Sequence, residues 1–128
     1  MKLARLRRAA WGQRVPVAAD PSTTAATLDA LSQLDDAAAR YLRVLHAHAR
    51  RSPVRHEMPT PADCARDVGN CADLVDYRRT LPGDALAPTA HTAALWRVYR
   101  AARRVQAART RDEQADAVLA LGAACDAV

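Results

Sequence analysis

TAHTAALWRVYRAARRVQAAR, running from Thr89 to Arg109, is the most regular stretch of the chain. At about 100° per residue its pattern predicts an amphipathic helix with one apolar face and one cationic face. The apolar face holds His91, Ala94, Leu95, Val98, Ala102 and Val105. The cationic face holds Arg97, Arg100, Arg103 and Arg104, with Trp96 set among them.

An indole on a charged face indicates a binding surface, and two kinds of partner fit it. Arginine and aromatic side chains are enriched where proteins bind proteins, and they also neutralise phosphates and stack on bases. A structural interpretation competes with both, in which Trp96 covers its own helix in cation–π contact with Arg100 and the other arginines are solvated. The candidate protein-binding residues are Trp96, Arg97, Arg100, Arg103 and Arg104.

Three other segments carry helical patterns. The first is predicted from near Asp20, with Pro21 in its first turn, to about Arg51. The second is predicted to begin after Thr60, where Thr60 and Asp63 form a carboxylate version of the capping box. The last runs from Arg111 to Ala127 and begins with a capping box formed by Thr110 and Glu113. The second helix is net acidic and the Arg-rich helix is basic, so one interpretation is that the two lie side by side and pair.

These segments predict an all-α protein, a small antiparallel bundle of about four helices with a short N-terminal amphipathic segment. The 128 residues include no Phe, and half of them are apolar, which fits one domain with a core of Leu, Val and Ala. Residues 1–18 are predicted to form a basic arm or short helix with a linker, and residues 19–128 a single helical-bundle domain.

The net charge of +5 is concentrated at the N-terminus. Five of the 19 basic residues precede the first acidic residue, Asp20, so the remaining 14 balance the 14 acidic residues. A basic arm can contact nucleic acid, an acidic partner or an anionic membrane surface, or it can be a solvated terminus. The candidate nucleic-acid contacts are Lys2, Arg5, Arg7, Arg8 and Arg14.

Three cysteines leave an odd thiol, and Cys64 and Cys71 are predicted to share a helix. Seven residues of helix separate their Cα atoms by about 10 Å, beyond the roughly 7 Å that a disulfide spans, although either could still meet Cys125. The spacings C-x6-C and H-x-H do not form a close chelating pair on a helix. We therefore expect buried thiols without a metal, and a thiol-based metal or redox sensor is a third hypothesis.

Catalytic and membrane-spanning patterns are also missing from the sequence. His56 and Glu57 adjoin in a proline-rich connector, but such a pair supports no reaction by itself. No Gly-rich phosphate loop, nucleophile elbow, di-iron pattern or apolar run of membrane-spanning length is present. The sequence predicts a cytoplasmic, non-enzymatic interaction, adaptor or regulatory module, without a cofactor or an evident small-molecule substrate. We expect it to bind a protein partner and to self-associate, with nucleic-acid binding as the alternative.

Overall fold

A computed structural model describes residues 20–50 and 59–128, and these residues form four helices and no strand. They are α1 (Ala25–Ala49), α2 (Pro61–Arg78), α3 (Ala90–Ala107) and α4 (Arg111–Asp126). The predicted all-α bundle is confirmed. The N-terminal amphipathic segment, the five basic residues of the arm and the His56–Glu57 pair lie outside the described residues.

Each helix begins at a threonine whose hydroxyl caps it. The predicted capping boxes are confirmed at Thr60 and Thr110, and a third is present at Thr89. The first helix begins at Ala25, not near Asp20 as predicted, because the Thr24 hydroxyl accepts the Thr27 N–H and ends the extended backbone there. Residues 20–24 therefore lie outside the helix, where they contact α3 and the loop before it.

Helices α2 and α4 each pack antiparallel to α1, and α1 and α3 form the centre of the bundle. The end of α2 meets the start of α1 where the Arg78 guanidinium donates to Asp29. The start of α4 meets the far half of α1 where the Gln114 amide donates to the Tyr41 hydroxyl. Helices α1 and α3 each contact all the others, whereas α2 and α4 do not touch. Helix α4 is thus a flanking helix with an open outer side.

The core is built from aliphatic side chains and two aromatic residues, Tyr41 and Trp96. Leu31, Leu34, Val68, Val98 and Leu121 are fully buried, as the helical patterns predict. Alanines are buried at the helix contacts, which lets the backbones approach closely. His91 is exposed and not part of the apolar face of α3, because that face begins only at Thr92. None of the helices in the described ranges is both long and apolar enough to cross a membrane.

Candidate functional site

Trp96 lies in the core and not on the surface. Its side chain is 1% exposed, and its indole N–H donates to the Thr23 hydroxyl at 2.9 Å. The Tyr99 ring meets it edge-on at 5.4 Å between centroids, and the Arg79 guanidinium lies 5.6 Å from its centroid. The prediction that Trp96 belongs to an exposed binding face is therefore wrong, and the cation that contacts it is Arg79 and not Arg100.

Two non-helical segments bury Trp96. Residues 20–24 and the loop between α2 and α3 run against each other, and the Leu86 N–H donates to the Thr23 carbonyl at 2.8 Å. A cleft of about 280 Å³ remains between them. The Thr23 hydroxyl donates to the Pro21 carbonyl, and the Thr92 hydroxyl to the Thr89 carbonyl. These two bonds are local to each segment, whereas the bonds of Thr23 with Leu86 and Trp96 join residues 20–24 to the loop and to α3.

The Arg103 side chain faces α2. Its guanidinium donates to Asp73 at 3.0 Å and to Asp76, and it lies 5.6 Å from the Tyr99 ring centroid. The Tyr99 hydroxyl donates to the same Asp76 carboxylate. The predicted pairing of the acidic and basic helices is confirmed, and Arg103 is corrected from a candidate binding residue to a contact between α2 and α3.

The network around Asp76 makes stability depend on pH. Partial burial acts to raise the pKa of Asp76, but hydrogen bonds from Tyr99 and Arg103, with the nearby Arg79 charge, bring it below its usual value. A carboxylate with a lowered pKa in the folded state stabilises the fold above its unfolded pKa of about 3.9. That stabilisation is lost as the pH falls through the folded value.

Asp76→Asn is therefore expected to make the free energy of unfolding fall less steeply as the pH is lowered. We expect the variant to be about 1 kcal/mol less stable than the wild type at pH 7, and the difference to shrink towards pH 2. Urea unfolding at half-unit pH steps measures both. Asp84→Asn is the control, since Asp84 is exposed in the loop after α2. Parallel profiles for the wild type and Asp76→Asn would contradict the assignment.

The other three arginines of α3 line a shallow groove between α3 and α4. Arg97, Arg100 and Arg104 form its α3 edge, and its volume is about 450 Å³. The floor and the opposite edge are alanines, namely Ala101, Ala120, Ala123, Ala124 and Ala127. Three of the predicted site residues are thus together on one surface. Trp96 and Arg103 are not part of it.

The three groove arginines differ in what they contact. The Arg100 guanidinium donates to Asp20 at 2.8 Å, and this pair ties the extended segment 20–24 to α3. Arg97 and Arg104 are exposed and make no ion pair with any residue in the described part of the chain.

The thiols and imidazoles of the described residues make no metal site. No group of three His, Cys, Asp or Glu side chains in residues 20–50 and 59–128 could hold an ion. Cys64, Cys71 and Cys125 are not in disulfides. Burial raises the pKa of Cys64 and Cys71, and burial beside Asp35 raises that of Cys125 to about 12. Thiols held in the neutral form are poor nucleophiles and poor metal ligands.

Comparison with known proteins identifies no similar protein. No family model, curated protein or solved structure matches the chain. The groove is therefore interpreted from its own geometry and charge.

The α4 side of the groove was missed from the sequence. Nothing in the sequence distinguishes its alanines from the many other alanines of the chain, and Leu119 is not among the residues that the helical patterns single out. One signal was present: Leu119 lies off the inward stripe that contains Val118 and Leu121, on the opposite side of the helix. An isolated leucine on an outer face is common, so this signal becomes informative only when the groove beside it is known.

Proposed function

We propose that the protein is a non-enzymatic interaction module that binds a protein partner through the groove between α3 and α4. One observation carries the proposal: Arg97, Arg100 and Arg104 line one edge of a groove floored by alanine. Short side chains allow the backbone of a partner to approach closely, and the arginines favour carboxylates beside the contact. The cytoplasmic setting predicted from the sequence is part of this proposal.

The chemistry of the groove selects an acidic, amphipathic helix as the partner. A helix laid along α3 and α4 would bury its apolar face on the alanines, as helix-in-groove recognition does. Its flanking carboxylates would meet Arg97 and Arg104, which make no ion pair among the described residues. Because these cations are at the edge of the contact, they favour association rate and specificity more than raw affinity.

Nucleic acid is the competing partner for the same arginines. With Trp96 in the core, the groove offers no aromatic ring on which a base could stack. Arg103 is occupied by Asp73 and Asp76, which leaves fewer cations for phosphates than the sequence indicates. These two observations favour the protein partner.

Charge reversal in the groove is expected to weaken peptide binding. The probe is a fluorescently labelled 18-residue helical peptide with Leu and Ala on one face and Glu on both flanks. Arg97→Glu/Arg104→Glu should weaken its binding at least about tenfold in fluorescence anisotropy, with little loss of stability, because both side chains are exposed. The matched control is Arg40→Glu/Arg43→Glu, which makes the same change of net charge on exposed positions of α1.

Three results would overturn the proposal. The wild type could fail to bind the acidic peptide, or the groove variant and the α1 control could bind it equally. The wild type could also prefer a duplex or single-stranded nucleic-acid probe, with an affinity that falls steeply between about 50 and 200 mM salt. That last result would assign the arginines to phosphates.

A further inference from the structure

Leu119 is the most exposed large apolar side chain in the described part of the chain, at 73%. It follows Val118, which packs against the core, and it points away from the stripe that contains Leu121. Burial of a leucine favours association by an amount comparable to that of a core side chain. Burying so exposed a leucine against a partner would therefore contribute favourable free energy to binding.

Leu119 is close to the groove but does not line it. It is one helical turn before Ala123, so the two residues share the outer side of α4. Ala123 belongs to the groove, whereas Leu119 does not. The chain thus presents an apolar side chain beside an apolar groove, and Leu119 does not enter the groove of its own molecule.

The charges of the two helices are also complementary. Helix α3 carries four arginines and no acidic residue. Helix α4 carries Asp112, Glu113, Asp116 and Asp126 against a single Arg111. Asp112 and Asp116 are exposed and make no ion pair within residues 20–50 and 59–128. The same surface therefore offers unpaired cations on α3 and unpaired carboxylates on α4.

We infer that the groove is filled by a second copy of this chain, in a two-fold dimer in which Leu119 of each copy enters the α3–α4 groove of the other. A two-fold contact requires that a surface be complementary to itself, so that each feature meets its counterpart reciprocally. Leu119 beside the groove and the acidic helix beside the basic one both meet this requirement. The inference rests on the proposed function and names the partner of that groove.

The size of the surface indicates a weak dimer. Helices of 16 and 18 residues are about 25 Å long and each about 10 Å wide, so the hairpin offers about 500 Å² in projection. Stable interfaces bury about 800 Å² per partner. We therefore expect dissociation in the micromolar range, about 1–100 µM.

Sedimentation velocity from about 5 to 500 µM tests the inference. The wild type should move from monomer to dimer across this range, and Leu119→Asn should raise the dissociation constant at least about tenfold, because two leucines lose their burial in each dimer. Leu81→Asn is the matched control, since Leu81 is exposed in the loop after α2. This control should dimerise as the wild type does. Arg97→Glu/Arg104→Glu should weaken the dimer from the groove side.

The acidic peptide separates this inference from the proposed function. Leu119→Asn keeps every groove residue, so it should bind the peptide at least as tightly as the wild type while remaining monomeric. A wild type that stays monomeric at 500 µM, or a dimer that Leu119→Asn does not weaken, overturns the inference. If such a protein still binds the peptide through Arg97 and Arg104, the proposed function stands and only its partner changes. A chain that neither dimerises nor binds the peptide loses both.

Discussion

Trp96→Ala is expected to lower the free energy of unfolding by about 3–5 kcal/mol, the range measured for truncating a buried aromatic residue. Trp96 is the largest fully buried side chain of the described core. Its removal leaves a cavity beside Tyr99 and deprives the Thr23 hydroxyl of its donor. It also removes the surface on which residues 20–24 pack, so the loss extends beyond one side chain.

Chemical denaturation followed by circular dichroism measures this effect without relying on tryptophan emission. Trp96→Phe is the graded control: it keeps most of the apolar contact but lacks the N–H, and we expect a loss of about 1–3 kcal/mol. In a Trp11→Phe background, Trp96 is the single remaining indole, and its emission should be that of a buried group until unfolding. Wild-type stability in Trp96→Ala, with solvent-exposed emission in the native state, would place Trp96 on the surface after all.

Arg103→Glu is expected to destabilise the fold by about 2–3 kcal/mol, although Arg103 is only one residue before a groove arginine. The change removes charge-assisted hydrogen bonds to Asp73 and Asp76 and sets a third carboxylate beside them. The Arg103 side chain is 33% exposed, so solvent screening keeps the loss below that of a fully buried pair. Thermal and urea unfolding at pH 7 measure it.

Arg104→Glu is the matched control for Arg103→Glu. Arg104 is exposed on the groove side and has no ion pair in the described ranges, so its reversal should change stability by no more than about 0.5 kcal/mol. We expect the two neighbours to show opposite behaviour, with Arg103→Glu reducing stability and Arg104→Glu reducing peptide binding and dimerisation. Equal losses of stability in the two variants would contradict the assignment of Arg103 to α2.

These expectations change how a variant of Trp96 should be interpreted. Loss of a partner in Trp96→Ala reports a damaged fold, because the indole is not on the surface. The variants that report on binding are those at Arg97, Arg104 and Leu119, where side chains are exposed. Each can be replaced without removing a core contact.

The sequence by itself determined the helices, because the forces that begin and end a helix act within a few residues. The capping boxes at Thr60 and Thr110 are local hydrogen bonds, and they were predicted correctly. The apolar stripe of α2 follows from periodicity, and the structure buries its members Cys64, Val68, Ala72 and Val75. The same local rules failed at Pro21, where the chain leaves the helical path to reach a distant loop.

Only the tertiary structure decided which face of α3 is a surface. A helical projection places Trp96 among the arginines, but it does not show that residues 20–24 and the loop before α3 fold over that side. Thr23 is 73 residues from Trp96, and Asp76 is 27 residues from Arg103. Which residues meet at such separations depends on how the helices are placed in space. The charges of α2 and α3 indicate that these helices pair, but no local pattern shows that Arg103 makes the contact. The groove has the same origin, since its edges come from two helices and its floor from alanines that resemble all the others.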